Sequence, residues 1–140
     1  MAMDLEAVKR FLERYARESE GADVVDAAKD FAAVFLAAGV QGAQAVRREE
    51  FAAVLPRRKQ MFAAAGLQRT ELTGAEVTVL SERYALARTR WRMVFARESE
   101  ETLEVETVFL VDAGREPFEI VVYLACQDVA ALMRERGWIA

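Results

Sequence analysis

Apolar residues recur at intervals of three and four positions through residues 5–65, which is the spacing of helices with one buried face. The first stripe predicts a helix over residues 5–19, with Gly21 as its stop. Asp23 is placed to cap a second helix, and the alanine-rich segment after it predicts that this helix extends over residues 24–38. The positions predicted to face inward are Leu5, Val8, Leu12, Tyr15, Ala28, Phe31 or Ala32, and Phe35.

A third helix is predicted over residues 48–65, after a break at residues 39–42. Pro56 lies inside it, and because proline lacks a backbone donor and clashes with the preceding turn, we expect a kink or two short helices. Gly66 is the expected C-terminal cap. The inward stripe of this helix includes Arg58, which also belongs to the basic cluster at residues 57–59. We interpret that cluster as a solvated face, with capture of an acidic ligand as the alternative.

From residue 67 onwards the apolar period changes to two, which is typical of strands. The predicted strands cover residues 67–73, 76–80, 84–96, 103–111 and 118–126. The first two are also consistent with one strand bent at Gly74, and the short turns predict antiparallel pairing. Asp128 is placed to cap a last helix over residues 129–136, which Gly137 ends. Helices followed by a curved antiparallel sheet predict an α+β fold, in a single domain over residues 1–140.

The alternation within the strands assigns side chains to two faces of the sheet. The face predicted to lie against the helices carries Ala85, Ala87, Thr89, Trp91, Met93, Phe95, Leu103, Val105, Thr107, Phe109 and Val111. On the outer face, Arg90 and Arg92 are predicted to lie beside Glu104 and Glu106. This pattern favours a cross-strand ion ladder, because the alternating acids neutralise the alternative of an anion or nucleic-acid patch.

The last strand is apolar on both faces, which predicts that both faces are buried. Since the helices cover only one face of the sheet, we expect the outer face to meet a second copy of the chain. The residues predicted at this homodimer interface are Leu86, Leu110, Val121 and Tyr123, with Val108 as a further candidate.

Charge and composition narrow the function. The formal net charge of −4 disfavours nucleic acid and anionic membranes as partners. No apolar run reaches the roughly 18 residues of a membrane span, and the N-terminal residues lack a signal-peptide pattern, so we expect a cytoplasmic location. The sequence has no histidine and one cysteine, Cys126. That excludes an internal disulfide, histidine-based triads in their usual forms and cysteine or histidine metal centres; no metal or cofactor is expected.

Several segments together carry a family resemblance: residues 11–15, 22–23, 85–91, 118–124 and 132–139. In their order along nearly the whole chain they resemble the nuclear-transport-factor-two-like superfamily, more closely its SnoaL-like and ketosteroid-isomerase-like branches. The resemblance implies a cone-shaped α+β barrel, in which helices close the wide mouth of a curved sheet and leave a pocket. It implies no single reaction, because the superfamily includes isomerases, dehydratases, epoxide hydrolases, polyketide cyclases and non-catalytic binders.

The resemblance also assigns positions one at a time. Tyr15 matches the oxyanion-holding tyrosine of ketosteroid isomerases. The general-base position falls at about Gly39, and the sequence has no carboxylate between residues 32 and 48. Glu106 falls near the second acidic position of the family. The histidines of SnoaL-like relatives correspond here to Val122 and Leu124.

A pocket inside the cone would be walled by apolar side chains with a few hydroxyl groups. The candidate ligand-binding residues are Tyr15, Phe35, Phe62, Thr89, Trp91, Met93, Thr107, Phe109 and Cys126. The competing interpretation is a packed core, in which Tyr15 bonds a backbone group and Cys126 is a small buried residue. Asp26 and Asp30, four residues apart, are interpreted as a solvated helix face rather than a catalytic carboxyl pair.

Three functions remain open from the sequence. The first is a homodimeric domain that binds a small apolar molecule in the cone. The second is an enzyme of isomerase, dehydratase or cyclase type that uses Tyr15, the weak catalytic candidate, and a pocket carboxylate. The third is a protein-interaction module that uses the outer sheet face. A pocket filled by side chains would favour the third.

Overall fold

A computed structural model describes residues 3–20 and 24–140 of the chain, so the predicted stop at Gly21 and cap at Asp23 lie outside the described residues. In chain order its elements are α1 (Leu5–Glu20), a 3₁₀ helix (Val24–Asp30), β1 (Phe31–Gly39), β2 (Gly42–Arg47), α2 (Arg48–Ala64), β3 (Leu67–Val79), β4 (Tyr84–Ala96), β5 (Glu100–Asp112), β6 (Glu119–Ala125) and α3 (Val129–Glu135). The predicted α+β cone, with helices packed on a strongly curved sheet, is confirmed.

In the described part of the chain, six strands form one curved, open sheet in the order β2-β1-β6-β5-β4-β3. The pairs β3–β4, β4–β5 and β5–β6 are antiparallel, as predicted, and the unpredicted pair β1–β2 is antiparallel as well. The β1–β6 pair is parallel, so the prediction of a wholly antiparallel sheet is wrong at this pair. No short turn joins β1 to β6, and therefore turn length does not dictate their relative direction.

The largest departure from prediction lies at residues 31–47, where the hairpin of β1 and β2 replaces the second half of the predicted second helix. The predicted break at residues 39–42 is the turn of this hairpin, in which Gly39 pairs with Gly42. Phe31 and Phe35 do face inward, because residues four apart share a face in a strand as well as in a helix. An apolar run of this kind does not distinguish the two structures, and pairing with β6 decides it.

Helix α2 is continuous through Pro56, so the prediction of two short helices is wrong. Pro56 lies on the exposed side of α2, where water can bond the carbonyl that loses its partner. The cap at its end follows the prediction: Ala65 is the C-cap, and Gly66 follows with a φ of 100°.

The sheet strands from β3 onwards follow the sequence pattern closely. β3 is one strand with an irregularity between Leu72 and Gly74, as one of the two predicted alternatives required. The ion ladder is present on the outer face: Arg92 pairs with Glu104 at 3.2 Å, and Arg88 pairs with Glu106 at 2.9 Å. Arg90 lies opposite Glu106 in register but pairs with Glu76 on β3 at 3.0 Å.

A second irregularity, in β6, changes which of its side chains face inward compared with the prediction. The register joins Leu110 to Val122 and Val111 to Ile120, so Val121 is an extra residue without a partner on β5. Beyond it the alternation is reversed, because one added residue exchanges the two faces. Tyr123 therefore points inward, with its ring 5.4 Å from that of Phe109, and its prediction as an outer-face interface residue is wrong.

Two packed clusters lie on the inner face of the sheet. The first joins the narrow end of the sheet to α1 and centres on Val8, Leu12, Phe31, Ala85, Ala87, Val111 and Ile120. The second joins the far ends of β4 and β5 to α3 and centres on Met93, Phe95, Leu103, Met133 and Trp138. The space between these clusters, beneath α2, is not filled by side chains.

Candidate functional site

A cavity of about 600 Å³ lies between α1, α2 and the inner face of the sheet. Its wall is largely apolar and aromatic. The side chains that matter most to its chemistry are Tyr15, Arg58, Phe62, Trp91, Phe109 and Tyr123. Pockets for small organic molecules have volumes of about 300–1,000 Å³ and walls of this composition.

Helix α2 contributes one side of the cavity through residues spaced three and four apart. Phe51, Leu55, Arg58 and Phe62 all line it. Of the residues of α2, which is described throughout, only Leu55 is buried. The others keep exposed surface because they face an open space rather than a packed neighbour. Helix α2 therefore spans the wide mouth of the cone without closing it.

Tyr15 lies at the floor of the cavity on α1 and is 8% exposed. Its ring meets the rings of Phe31, Trp91 and Phe109 edge-on, with centroids 5.8, 6.4 and 5.5 Å apart. Burial is the main reason why the pKa of Tyr15 is raised well above its usual range, and nearby Tyr123 adds to the effect. The hydroxyl therefore stays protonated and can serve as a hydrogen-bond donor, but it is a poor acid.

Arg58 brings a positive charge into this apolar wall. Its guanidinium lies over the ring of Phe62, 5.4 Å from the centroid, and near the side chain of Tyr123. Tyr123 is the main cause of the raised pKa of Arg58; burial opposes the shift, and Tyr15 adds to it. The side chain is surrounded by protein yet keeps accessible surface, because part of it faces the cavity.

The acidic residues that line the cavity in the described ranges each have another partner. Glu20 accepts a hydrogen bond from the backbone of Thr70. The carboxylate of Glu106 pairs with Arg88, which places it on the outer face, as the strand alternation predicts. Asp128 caps α3 by accepting from the backbone of Ala131 at 3.0 Å.

The structure brings most of the sequence-predicted site residues together. Those that line the cavity are Tyr15, Phe62, Trp91, Met93, Thr107 and Phe109. Phe35 and Cys126 do not line it: Phe35 is buried against Phe31 and Phe51, and burial raises the pKa of the Cys126 thiol. A raised pKa keeps this thiol protonated and weakens it as a nucleophile.

Thr89 also lies outside the cavity lining, although it was selected as one of its polar groups. Its hydroxyl is fully buried, donates to the carbonyl of Thr107 at 2.7 Å and accepts from Nε1 of Trp91 at 2.8 Å. This hydroxyl therefore orients the Trp91 ring in the wall, and because it is fully buried it does not reach a ligand in the cavity.

Sequence reasoning missed the pairing of Arg58 with Tyr123. Arg58 does stand in the inward stripe of its helix, and an arginine at such a position is the signal that points to the cavity. Tyr123 could not be found from alternation alone, because the extra residue Val121 reverses the face of everything after it.

A buried carboxyl pair lies beside the site, where α1 meets the 3₁₀ helix. Asp30 is 3% exposed, so its interpretation as part of a solvated face is wrong. Arg14 donates a hydrogen bond to Asp30 at 3.0 Å. Glu18 lies next to Asp30, and its carboxylate is 3.3 Å from the Nζ of Lys29. Burial and the hydrogen bond with Glu18 raise the pKa of Asp30 to about 7. Burial alone would raise the pKa of Glu18 as well, but hydrogen bonds with Asp30 and Lys29 lower it.

With this fold and cavity in place, comparison with known proteins identifies the class. The chain belongs to a family of NTF2-like proteins, DUF6841, whose model matches residues 5–128. The predicted resemblance to the nuclear-transport-factor-two-like superfamily is thereby confirmed. No curated protein matches the chain in sequence.

Solved structures with the same fold are distant in sequence. An NTF2-like protein of unknown function from Shewanella oneidensis is 15% identical with a TM-score of 0.71, over 89% of this chain and 100% of the other. ActVI-ORFA from Streptomyces coelicolor is 16% identical with a TM-score of 0.71, over 90% and 99%. The β subunit of benzoate 1,2-dioxygenase from Burkholderia mallei is 17% identical with a TM-score of 0.67, over 94% and 95%. At these identities the likeness extends to the fold alone.

Two further observations apply to residues 3–20 and 24–140. None of the helices in these ranges has the length and apolar character needed to cross a membrane. The same ranges contain no cluster of three or more acidic or cysteine side chains arranged to hold a metal ion.

Proposed function

We propose that this protein binds a small organic molecule with an apolar body in the cavity between α1, α2 and the sheet. The observation that carries the proposal is an unfilled space of about 600 Å³ walled by aromatic side chains. A native core is packed with few voids larger than a water molecule, so a space of this size between two packed clusters requires a functional explanation. Burial of a ligand here would gain hydrophobic free energy at about 25 cal/mol per Å².

Binding is a better account of the cavity than acid–base chemistry. An isomerase or cyclase needs a carboxylate that is available to move a proton. The acids along the cavity in the described ranges, Glu20, Glu106 and Asp128, are held by Thr70, Arg88 and Ala131. Tyr15 would then orient a ligand through a neutral hydrogen bond. Its replacement by phenylalanine would lower the affinity for the ligand, and neither variant would convert the ligand into a product.

The outer face of the sheet supports the second part of this proposal, a homodimer. One row across four strands carries Leu86, Leu110, Val122 and Leu36, joined by register. Leu124, which is 36% exposed, lies beside it. A row of this kind matches what an interface between copies of the chain requires. Light scattering should give a dimer mass that Leu124→Glu lowers to a monomer, while Val54→Glu on α2 leaves it unchanged. A monomeric parent protein would contradict the dimer.

Ligand binding is tested by thermal unfolding of the purified protein against a panel of small aromatic and aliphatic molecules, with native mass spectrometry on the untreated sample. A ligand at 100 times its Kd adds about 2.7 kcal/mol of stability, which is several degrees in the unfolding midpoint. Ala125→Phe places a ring in the cavity wall and should abolish every shift. Ala53→Phe, on the exposed side of α2, is the matched control and should keep them.

The proposal fails if no member of the panel shifts the midpoint and no bound mass is recovered. It also fails if Ala125→Phe folds normally and keeps the full shift, since the ligand would then be bound elsewhere.

A further inference from the structure

Arg58 is a cation in a place where a purely apolar ligand does not require one. A guanidinium carries five N–H donors and no acceptor. The partners described for Arg58 are the ring of Phe62 and the side chain of Tyr123, neither of which is a carboxylate. The side chain keeps accessible surface, so a ligand that fills the cavity would displace the water around this charge. Removing a charge from water without a counter-ion is costly, and the site therefore favours a ligand that brings one.

Nothing described around the cavity supplies that counter-ion from the protein. Glu20 and Asp128 bond backbone donors, and Glu106 pairs with Arg88 on the other side of the sheet. Arg69, a second arginine in the lining, is held by its own partner Glu71. Of the two arginines that line the cavity, Arg69 has a carboxylate partner and Arg58 has none among its described contacts.

The groups next to Arg58 complete a receptor for a planar anion. The side chains of Tyr123 and Tyr15 line the cavity together with Arg58 and lie near its guanidinium. An arginine fork binds a carboxylate through two parallel hydrogen bonds. Beyond this polar corner, Trp91, Phe109 and Met93 offer only apolar surface to the rest of a ligand.

We propose that the ligand of the cavity is an amphipathic carboxylate, whose acid group binds the Arg58 guanidinium beside Tyr123 and whose apolar body lies against Trp91 and Phe109. This inference rests on the proposed binding function and specifies the class of molecule. A single negative charge suits one arginine in an apolar wall, whereas a phosphate ester would bring close to two charges.

The test compares acids with amides that share one apolar body: naphthoate with naphthamide, and decanoate with decanamide. Affinities are measured by calorimetry at pH 7 on the parent protein, Arg58→Met and Arg57→Met. Arg57 is the neighbour of Arg58 on α2 and does not line the cavity, so Arg57→Met controls for the loss of one positive charge. Arg58→Lys keeps the charge but removes the fork.

In at least one pair, the parent should bind the acid about 10-fold or more tightly than the amide, as expected for a charged hydrogen bond. Arg58→Met should remove that preference and leave the amide within about 3-fold, Arg58→Lys should keep part of it, and Arg57→Met should keep it all. The midpoint of thermal unfolding of each variant confirms that it folds.

Two failures are distinguishable. If amides bind as well as their acids, or if Arg58→Met keeps the preference, the carboxylate assignment is overturned while the cavity remains a binding site. If neither member of any pair binds, and the wider panel also gives no shift, the proposed function and this inference are both overturned.

Discussion

The inner face of strand β4 is packed at one end and hollow in the middle, although both regions follow the same alternation of residues. At the packed end, one row across the sheet joins Phe31, Ile120, Val111 and Ala85, and all four are fully buried. In the middle, Trp91 lies opposite Val105 and Leu72, and it lines the cavity although it is only 8% exposed. The difference is in what covers the sheet. Small residues at positions 85 and 87 allow α1 to pack directly on it, whereas α2 spans the middle at a distance.

This contrast shows that the hydrophobic pattern specifies which face is inside but not whether the inside is full. Strand alternation identified the inner face of β4 and β5 correctly at every position. It did not distinguish Thr89, whose hydroxyl is used up inside the wall, from Thr107, which lines the cavity. That distinction depends on where the covering helices end, which is a tertiary property.

The largest difference in stability is expected when phenylalanine is replaced by alanine at the packed end and in the cavity wall. Phe31→Ala removes a fully buried ring at the packed end and should lower the free energy of unfolding by about 3–5 kcal/mol. Phe62→Ala removes a partly buried ring from the cavity wall and should cost less, about 1–2 kcal/mol. Urea unfolding of both variants measures the two values. Equal losses would mean that the middle of the cone is packed in solution, and would falsify the contrast.

A pH titration tests the contact between α1 and the 3₁₀ helix at Asp30. Asp30 has a pKa of about 7 in the fold and an ordinary value of 3.8. The folded state therefore binds its proton more tightly than the unfolded state, so this group stabilises the fold at low pH and the stabilisation is lost as pH rises to about 7. In that window its contribution to the free energy of unfolding falls steadily as pH rises.

Unfolding midpoints measured between about pH 4 and pH 8 should show this loss for the parent protein, with most of it between the two pKa values of 3.8 and about 7. Asp30→Asn keeps the shape and removes the titration, so its profile should be flatter. Asp26→Asn, at an exposed position on the same 3₁₀ helix, should behave as the parent. A stability that rises over this window would contradict the raised pKa of Asp30.

The parts of the fold that sequence could predict are those with one dominant local signal. The bounds of β4 follow directly from its alternation, and Asp128 caps α3 as its position indicates. The hairpin of β1 and β2 could not be predicted, because residues 31–38 are apolar throughout and their partner β6 is distant in the chain. Arg58 could be placed on the inward stripe of α2 from its spacing, but its importance depends on Tyr123, which a single extra residue in β6 turns inward.

Substitution of Gly66, which connects α2 to β3, should lower the stability of the protein. A Cβ on Gly66 would lie 2.5 Å from the carbonyl oxygen of Ala96, and the φ of Gly66 is 100°. Gly66→Ala should therefore destabilise the protein by about 1–3 kcal/mol through strain and steric overlap. Gly42→Ala is the matched control, since Gly42 also has a positive φ, 123°, but nothing lies within 4 Å of its Cβ position. Chemical denaturation should give the larger loss for Gly66→Ala, and the reverse order would show that contact with Ala96 is unimportant.

The smallest effect is expected on the outside of the hollow region. Arg92 lies between Trp91 and Met93 in sequence and points to the outer face, where it pairs with Glu104 at 3.2 Å and lies 4.0 Å from Glu71. If these ion pairs stabilised the cavity wall in place of a packed core, their loss would greatly lower the free energy of unfolding. The three side chains are 44%, 71% and 39% exposed, and ion pairs with that exposure contribute about 0.2–1 kcal/mol. Arg92→Gln should therefore lower stability by less than about 1 kcal/mol at low salt and by less still in high salt. A loss of 2 kcal/mol or more, on the order of a buried pair, would show that the ladder supports the cavity wall, and the stability of the hollow region would then have to be explained from its outer face.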